Sequence, residues 1–142
     1  RQINKILENA LLDYTPDIVL IHLGTNDVGH ILAPMSPSFT FDNTVADMTS
    51  IINHLRADNP NVIIYLAEII PQHSTRTEVN EATETLNARF VYLANTMTTP
   101  ESPIHMVDMH TGFDDADLDD GVHPTEAAAK KMAQRWSEAI LE

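Results

Sequence analysis

Apolar residues recur at helical spacing at Ile3, Ile6, Leu7, Ala10 and Leu11, and Tyr14-Thr15-Pro16 then ends the pattern, because proline cannot continue a helix. The run from Asp17 to Gly24 is short and nearly continuously apolar, which predicts a buried strand. The same succession repeats twice. Phe41, Val45, Met48, Ile52 and Leu55 mark a helix that stops before Asn59-Pro60 and leads into the strand Val62 to Ala67. Val79, Ala82, Leu86, Phe90, Leu93 and Met97 mark a third helix, followed after Thr99-Pro100 by the strand Ile104 to Asp108. A last helix is expected to begin at Pro124, a favoured first-turn residue, and to turn Ala128, Met132, Trp136 and Ile140 toward the core.

Helices alternating with short apolar strands predict an α/β protein, a parallel sheet covered on both faces in a three-layer αβα arrangement. With 142 residues, 43% of them hydrophobic, the chain can form a core and is expected to be one domain over 1–142. Residues 25–40 and 109–123 read as long loops, and each follows the C-terminal end of a predicted strand. Open α/β sheets build their sites at that edge.

The net charge of −13 comes from 21 acidic residues against 8 scattered Lys and Arg, which argues against nucleic acid or an anionic membrane as partner. A well-solvated acidic surface suits a secreted or salt-tolerant protein, and an extracellular location is expected. No apolar run reaches the roughly 18 residues that a membrane span needs. The absence of cysteine removes disulfides, thiolate zinc sites and thiol nucleophiles.

Two clusters carry candidate chemistry. In Asp120-Gly121-Val122-His123-Pro124, His123 is the candidate base, since imidazole takes up and returns a proton near neutral pH. Asp120 can fold back across Gly121 to orient the ring. In Gly24-Thr25-Asn26-Asp27, Asn26 can aim its amide at an oxyanion. Thr25, Asp27 and Val122 flank these groups and are expected to contact substrate. Either cluster alone could be a tight turn whose polar side chains serve the backbone; both together, each after a strand end, point to hydrolysis of an ester.

The run Asp17 to Asp27, and the stretch from Val107-Asp108-Met109 through Asp120-Gly121-Val122-His123-Pro124 to Met132, Trp136 and Ile140, resemble two blocks of the SGNH (GDSL-type) hydrolases. The resemblance implies the flavodoxin-like αβα fold and serine ester hydrolysis without a cofactor or metal, with His123 as base, Asp120 as its orienting acid and Asn26 in the oxyanion hole. Within the family the chain is similar to family 3 carbohydrate esterases, which deacetylate xylan, so small acyl esters and acetylated polysaccharide are the implied substrates. Those relatives often continue Pro-Asn-x-x-Gly-Tyr after the histidine, where this chain has Pro124-Thr125-Glu126-Ala127-Ala128-Ala129.

The family's Gly-Asp-Ser block is absent. Ser36, Ser38, Ser50, Ser74, Ser102 and Ser137 all lie outside such a context. The nucleophile is therefore expected on a strand upstream of Arg1, and the missing strand should leave an apolar edge beside residues 18–23. A cleaved N-terminal fragment or a strand-swapped second copy would cover that edge. Ser36 or Ser38, in the loop bordering Asn26, is the alternative nucleophile, with Met35 and Phe39 expected in the wall of the site. Rival readings are a non-catalytic binding or assembly module of the same fold, and a lipase or thioesterase, which acyl-chain-length preference would distinguish.

Other signals carry less. His105, Asp108 and His110 suggest a metal site, but strand alternation separates His105 from Asp108, and no metal is expected. His22 reads as a hydrogen-bonded core histidine. The acidic run from Asp114 to Asp120 lacks the glycine and closing glutamate of a calcium loop and reads as solvated acids around one functional aspartate.

Overall fold

The computed structural model describes residues 2–11, 13–34 and 36–142. Three parallel strands, β1 (Ile18–Ile21), β2 (Ile63–Ala67) and β3 (Ile104–Val107), stand in the order β1-β2-β3. The intervening helices are α1 (Gln2–Ala10), α2 (Thr25–Leu32), α3 (Phe41–Asp58), α4 (Thr77–Met97) and α5 (Glu126–Leu141). The register aligns Ile21 with Leu66 and Leu66 with Met106, so side chains two apart on each strand share a face. Ile21, Ile64, Leu66 and Ile104 face Met48, Ile52 and Leu55 of α3 and Leu86 and Phe90 of α4. Tyr65, Ala67 and Val107 face the opposite way, onto Ala128, Met132 and Trp136 of α5. Burying a side chain such as Phe90 or Leu86 contributes about 1.5–3 kcal/mol.

Three expectations change. Ile140, expected to face the core, is exposed near the end of α5. Residues 25–32 form α2 instead of loop: Val28 is fully buried, and Val28 N–H closes the first turn onto the Gly24 carbonyl at 3.0 Å. At the start of α5 the cap is Thr125, whose Oγ1 accepts from Ala128 N–H at 3.1 Å, and the helix runs from Glu126. Pro124 stays outside, bridged antiparallel to Leu118. A hydroxyl that satisfies a loose amide outweighs proline's preference for the first turn.

Where β2 leaves the sheet, α4 replaces the neighbouring strand. Asn87 accepts from Ile69 N–H at 2.8 Å and donates to the Ile69 carbonyl at 3.0 Å. Asn80, two turns earlier, does the same for Gln72, at 2.8 and 3.1 Å. Gly24 ends the β1 segment with φ 127°, and a Cβ there would lie 2.5 Å from Ile69 Cδ1. Glycine is required on both counts, since the backbone angle is strained for other residues and the ends of β1 and β2 touch at this point.

Coverage of the sheet is uneven. Four helices pack on one face and α5 alone on the other, and Ile18 and Leu20, on the α5 side of β1, remain 48% and 45% exposed. Ile63 N–H bonds to the Asp17 carbonyl at 2.9 Å, so the alternation of a parallel ladder turns the backbone groups of Ile18 and Leu20 away from β2. Among the described residues no strand pairs with that edge.

Asn87→Leu is expected to leave the buried Ile69 N–H unpaired, while the Ile69 carbonyl keeps His110 Nδ1 at 2.9 Å, and to cost about 1–3 kcal/mol. Urea unfolding checks this, and an unchanged midpoint would show that the amide pair does not hold the β2 end.

Candidate active site

Residues 117–125 fold back on themselves at the C-terminal edge of the sheet. Thr125 N–H bonds to the Asp117 carbonyl and Asp119 N–H to the His123 carbonyl, both at 2.8 Å, which leaves Asp120-Gly121-Val122 as the tip. Gly121 takes φ 83° there. The Asp120 carboxylate accepts from Val122 N–H at 3.0 Å and His123 N–H at 2.8 Å through Oδ1, and from His123 Nδ1 at 2.8 Å through Oδ2. These bonds, first the His123 backbone and side chain and then the Val122 backbone, hold its pKa down to about 2. Because Nδ1 carries the hydrogen toward Asp120, the neutral ring keeps Nε2 as its open acceptor, and the His123 side chain is 77% exposed. The geometry is that of a base with its orienting carboxylate.

α5 anchors the rest of this loop. Lys131 Nζ donates to the Gly112 carbonyl at 2.8 Å and to Asp117 at 2.7 Å, and Arg135 donates to the Asp108 carbonyl at 2.8 Å. Both cations lie over the Phe113 ring, at 4.6 and 5.3 Å. The acidic run is accordingly more engaged than its sequence suggested. Asp114 caps the short helical turn 115–117, Asp117 pairs with Lys131, and Asp115 accepts from Ser74.

Asn26 stands in the first turn of α2, just past β1, and lines a cavity of about 680 Å³. Thr25, Asp27, His30 and Phe39 share that cavity, with Ile3 and Ile6 of α1 on its apolar side. The Phe39 ring stacks on His30 at 4.5 Å, and burial pushes the Asp27 carboxyl up from its usual range. The expected wall residue Phe39 is thus present, while Met35 lies outside the described residues. Asn26 and the Asp120–His123 pair follow strand ends at one edge of the sheet, but no residue of 109–123 lines this cavity. Val122 is half-buried at the hairpin tip.

Two carboxyls that the sequence reading left unassigned meet between these groups. Glu68 and Asp108 follow β2 and β3 side by side and share a hydrogen bond. Partial burial, then the Asp108 charge and that bond, raise Glu68. Burial also opposes the Asp108 charge, but bonds from Thr111, Glu68 and His110 outweigh it and lower its pKa. His22 sits one residue past β1, half-buried, with a bond to the Glu68 backbone, and burial keeps its pKa below the usual value. His105 stacks on Tyr65 at 5.0 Å, away from Asp108, and among the described residues no cluster of three or more ligands could hold a metal.

The depressed pKa sets a pH window. Asp120 pairs as a carboxylate in the fold, so its contribution is complete above the ordinary value of 3.8 and disappears as pH falls through about 2. Side-chain carboxyl NMR is expected to give a midpoint near 2 for Asp120, whereas a midpoint near 3.8 would mean that the three bonds do not form in solution.

Over residues 1–131 the sequence matches the GDSL-like lipase/acylhydrolase family. A multidomain esterase of Ruminococcus flavefaciens is 29% identical over 150 residues, which take in 98% of this chain and 18% of that protein. The fold superimposes on a family 3 carbohydrate esterase from Talaromyces cellulolyticus with TM-score 0.78 and 28% identity, over 97% of this chain and 65% of the other. The same figures hold for an acetyl esterase serine-to-alanine mutant crystallised with an acetate ion. The chain spans less than a fifth of the multidomain relative and just under two thirds of these two crystallised esterases. Its matched residues and its parallel αβα fold together show that the chain belongs to the GDSL-like lipase/acylhydrolase family.

Proposed function

We propose that this chain supplies the base, the orienting acid and an oxyanion donor of a serine esterase acting on small acyl esters, with acetylated carbohydrate as the substrate class. The observation that carries this reading is the 2.8 Å bond from His123 Nδ1 to Asp120 at the tip of a tight hairpin, which leaves Nε2 facing outward as an acceptor. The substrate class rests on the likeness to an acetyl esterase and to a family 3 carbohydrate esterase.

The nucleophile comes from a strand that pairs with the free edge of β1. Among the described residues no serine hydroxyl donates to His123. Ser36 and Ser38 bond to each other at 3.0 Å, Ser74 bonds to Asp115, Ser102 is buried against Val62, and Ser50 and Ser137 lie on helices. The outward backbone groups of Ile18 and Leu20 offer a ladder to an incoming strand, and their exposed side chains offer it an apolar face. A segment of the same polypeptide or the corresponding strand of a second copy fits this role. A secreted protein suits the multidomain esterase relative and the acidic surface, and among the described residues no helix is long and apolar enough to cross a membrane.

In the completed site His123 Nε2 takes the serine hydroxyl proton as the oxygen attacks the ester carbonyl. The Asn26 amide donates to the oxyanion that forms, and Asp120 stabilises the imidazolium. Collapse breaks the ester bond, and the imidazolium returns its proton to the leaving alcohol. Water then attacks the acyl-serine by the same route, releases the acid and restores the hydroxyl.

In the active assembly His123→Ala is expected to abolish turnover, and Asn26→Ala to lower kcat by about 10²–10³ with little change in KM. Asp120→Asn keeps an oxygen for the two backbone amides but presents its NH₂ to Nδ1, which moves the ring hydrogen to Nε2; a loss of about 10⁴ in kcat is expected. Wild-type turnover in His123→Ala would sink the assignment. A fluorophosphonate adduct located by mass spectrometry identifies the nucleophile: on a paired strand it supports the reading, on Ser36 or Ser38 it relocates the serine, and no adduct favours a non-catalytic module.

A further inference from the structure

The hairpin that carries Asp120 and His123 leans on a second histidine–aspartate pair. His73 N–H, in the segment that joins β2 to α4, donates to the Gly121 carbonyl at 2.9 Å. The two residues are in close contact, for a Cβ on Gly121 would lie 3.2 Å from His73 Cβ. Next along the chain, Ser74 gives both its backbone N–H and its hydroxyl to the Asp115 carboxylate, each at 2.6 Å. The His73 ring completes the arrangement. Its Nδ1 lies 3.3 Å from Thr75 N–H, a group that can only donate, so the ring hydrogen of neutral His73 belongs on Nε2, which stands 3.3 Å from Asp115 Oδ2. One carboxylate thus gathers three donors from the segment between β2 and α4, and it sits on the same loop as the hairpin.

The tip needs such support. The bonds within Asp120-Gly121-Val122-His123 are local and shape the turn, but they do not fix where the turn sits over the sheet. The His123 side chain is mostly exposed and cannot be held there by packing. Lys131 and Arg135 anchor the loop at Asp108, Gly112 and Asp117, before the tip is reached. The contact with His73 and Ser74 ties the tip itself to the segment between β2 and α4.

We propose that Asp115, through Ser74 and His73, is a positioning residue that sets the place of the His123 base relative to the oxyanion donor across the sheet edge. This rests on the esterase reading of His123. Asp115 touches no reacting atom in this role. It fixes a backbone, and catalysis depends steeply on such placement, where an error of about 1 Å can cost on the order of 10²-fold.

The experiment has two readouts. In this chain, amide hydrogen exchange at His73 is measured for the wild type, Ser74→Ala and Ser74→Thr; Thr keeps the hydroxyl that Ala removes. Exchange is expected to quicken on the order of tenfold in Ser74→Ala and to return toward wild type in Ser74→Thr, with far-ultraviolet circular dichroism unchanged. In the active assembly Ser74→Ala and Asp115→Asn are expected to lower kcat on the order of tenfold to 10²-fold while KM holds, with Ser74→Thr restoring kcat. Unchanged kcat in both variants overturns the proposal, even if exchange at His73 rises, because the contact would then be structural only. A fall in KM and kcat together with lost circular dichroism overturns it as well. Failure of the esterase reading shows separately, as full turnover in His123→Ala.

Discussion

Backbone groups that leave a parallel sheet lose the neighbouring strand that satisfied them, and at this edge of the protein side-chain amides and carboxylates take its place. Asn87 serves Ile69, Asn80 serves Gln72, Asp108 serves His110 and Thr111, and Asp120 serves Val122 and His123. Each acceptor fixes the segment it serves, so the long loops after β2 and β3 hold defined shapes without becoming strands themselves. The candidate base inherits that order. Asp120 shapes the turn with one oxygen and holds the imidazole with the other, so local folding and ring orientation depend on a single carboxylate.

The same economy explains the acidic loop. A run of aspartates is costly if left to repel itself, and here four of the five charges are directed to donors: Asp114 to an amide, Asp115 to Ser74, Asp117 to Lys131 and Asp120 to the hairpin tip. The two basic residues of α5 that reach this loop, Lys131 and Arg135, are scarce in a chain with only 8 Lys and Arg. They also stack on Phe113, which joins the charged surface to the core beneath α5. The carboxyls that directly follow β2 and β3 behave differently. Glu68 and Asp108 share one hydrogen bond, and their pKa values move apart, as expected when two acids in contact cannot both ionise freely.

The helices, strands and core were largely legible because each depends on short-range periodicity. Phe90 and Leu86 repeat on one face of α4, and Ile64 and Leu66 alternate with Tyr65 and Ala67 in β2, so pattern alone assigns them to their two cores. α2 escaped that test because its eight residues include Gly29 and bury only Val28, too little for a helical stripe. The start of α5 was misplaced by one cap, where Thr125 prevails over Pro124. The Asp120–His123 pairing was legible in the spacing, since three residues with a glycine between them can close on themselves.

Sequence by itself determined the three strands and every helix but α2, the parallel αβα class, and the local turn that joins Asp120 to His123, because all of these arise from interactions between near neighbours along the chain. Only the tertiary structure decided what meets across that edge. Ser74 reaches Asp115 from 41 residues away, with His73 beside it, and Ile69 packs over Gly24 from just past β2. It also decided which side chains stay open at the apolar edge expected beside residues 18–23, for Ile18 and Leu20 turn to solvent while Val19 and Ile21 pack against the helices. The reason is physical: hydrophobic pattern records what a strand would bury, and strand order fixes which neighbours are there to bury it.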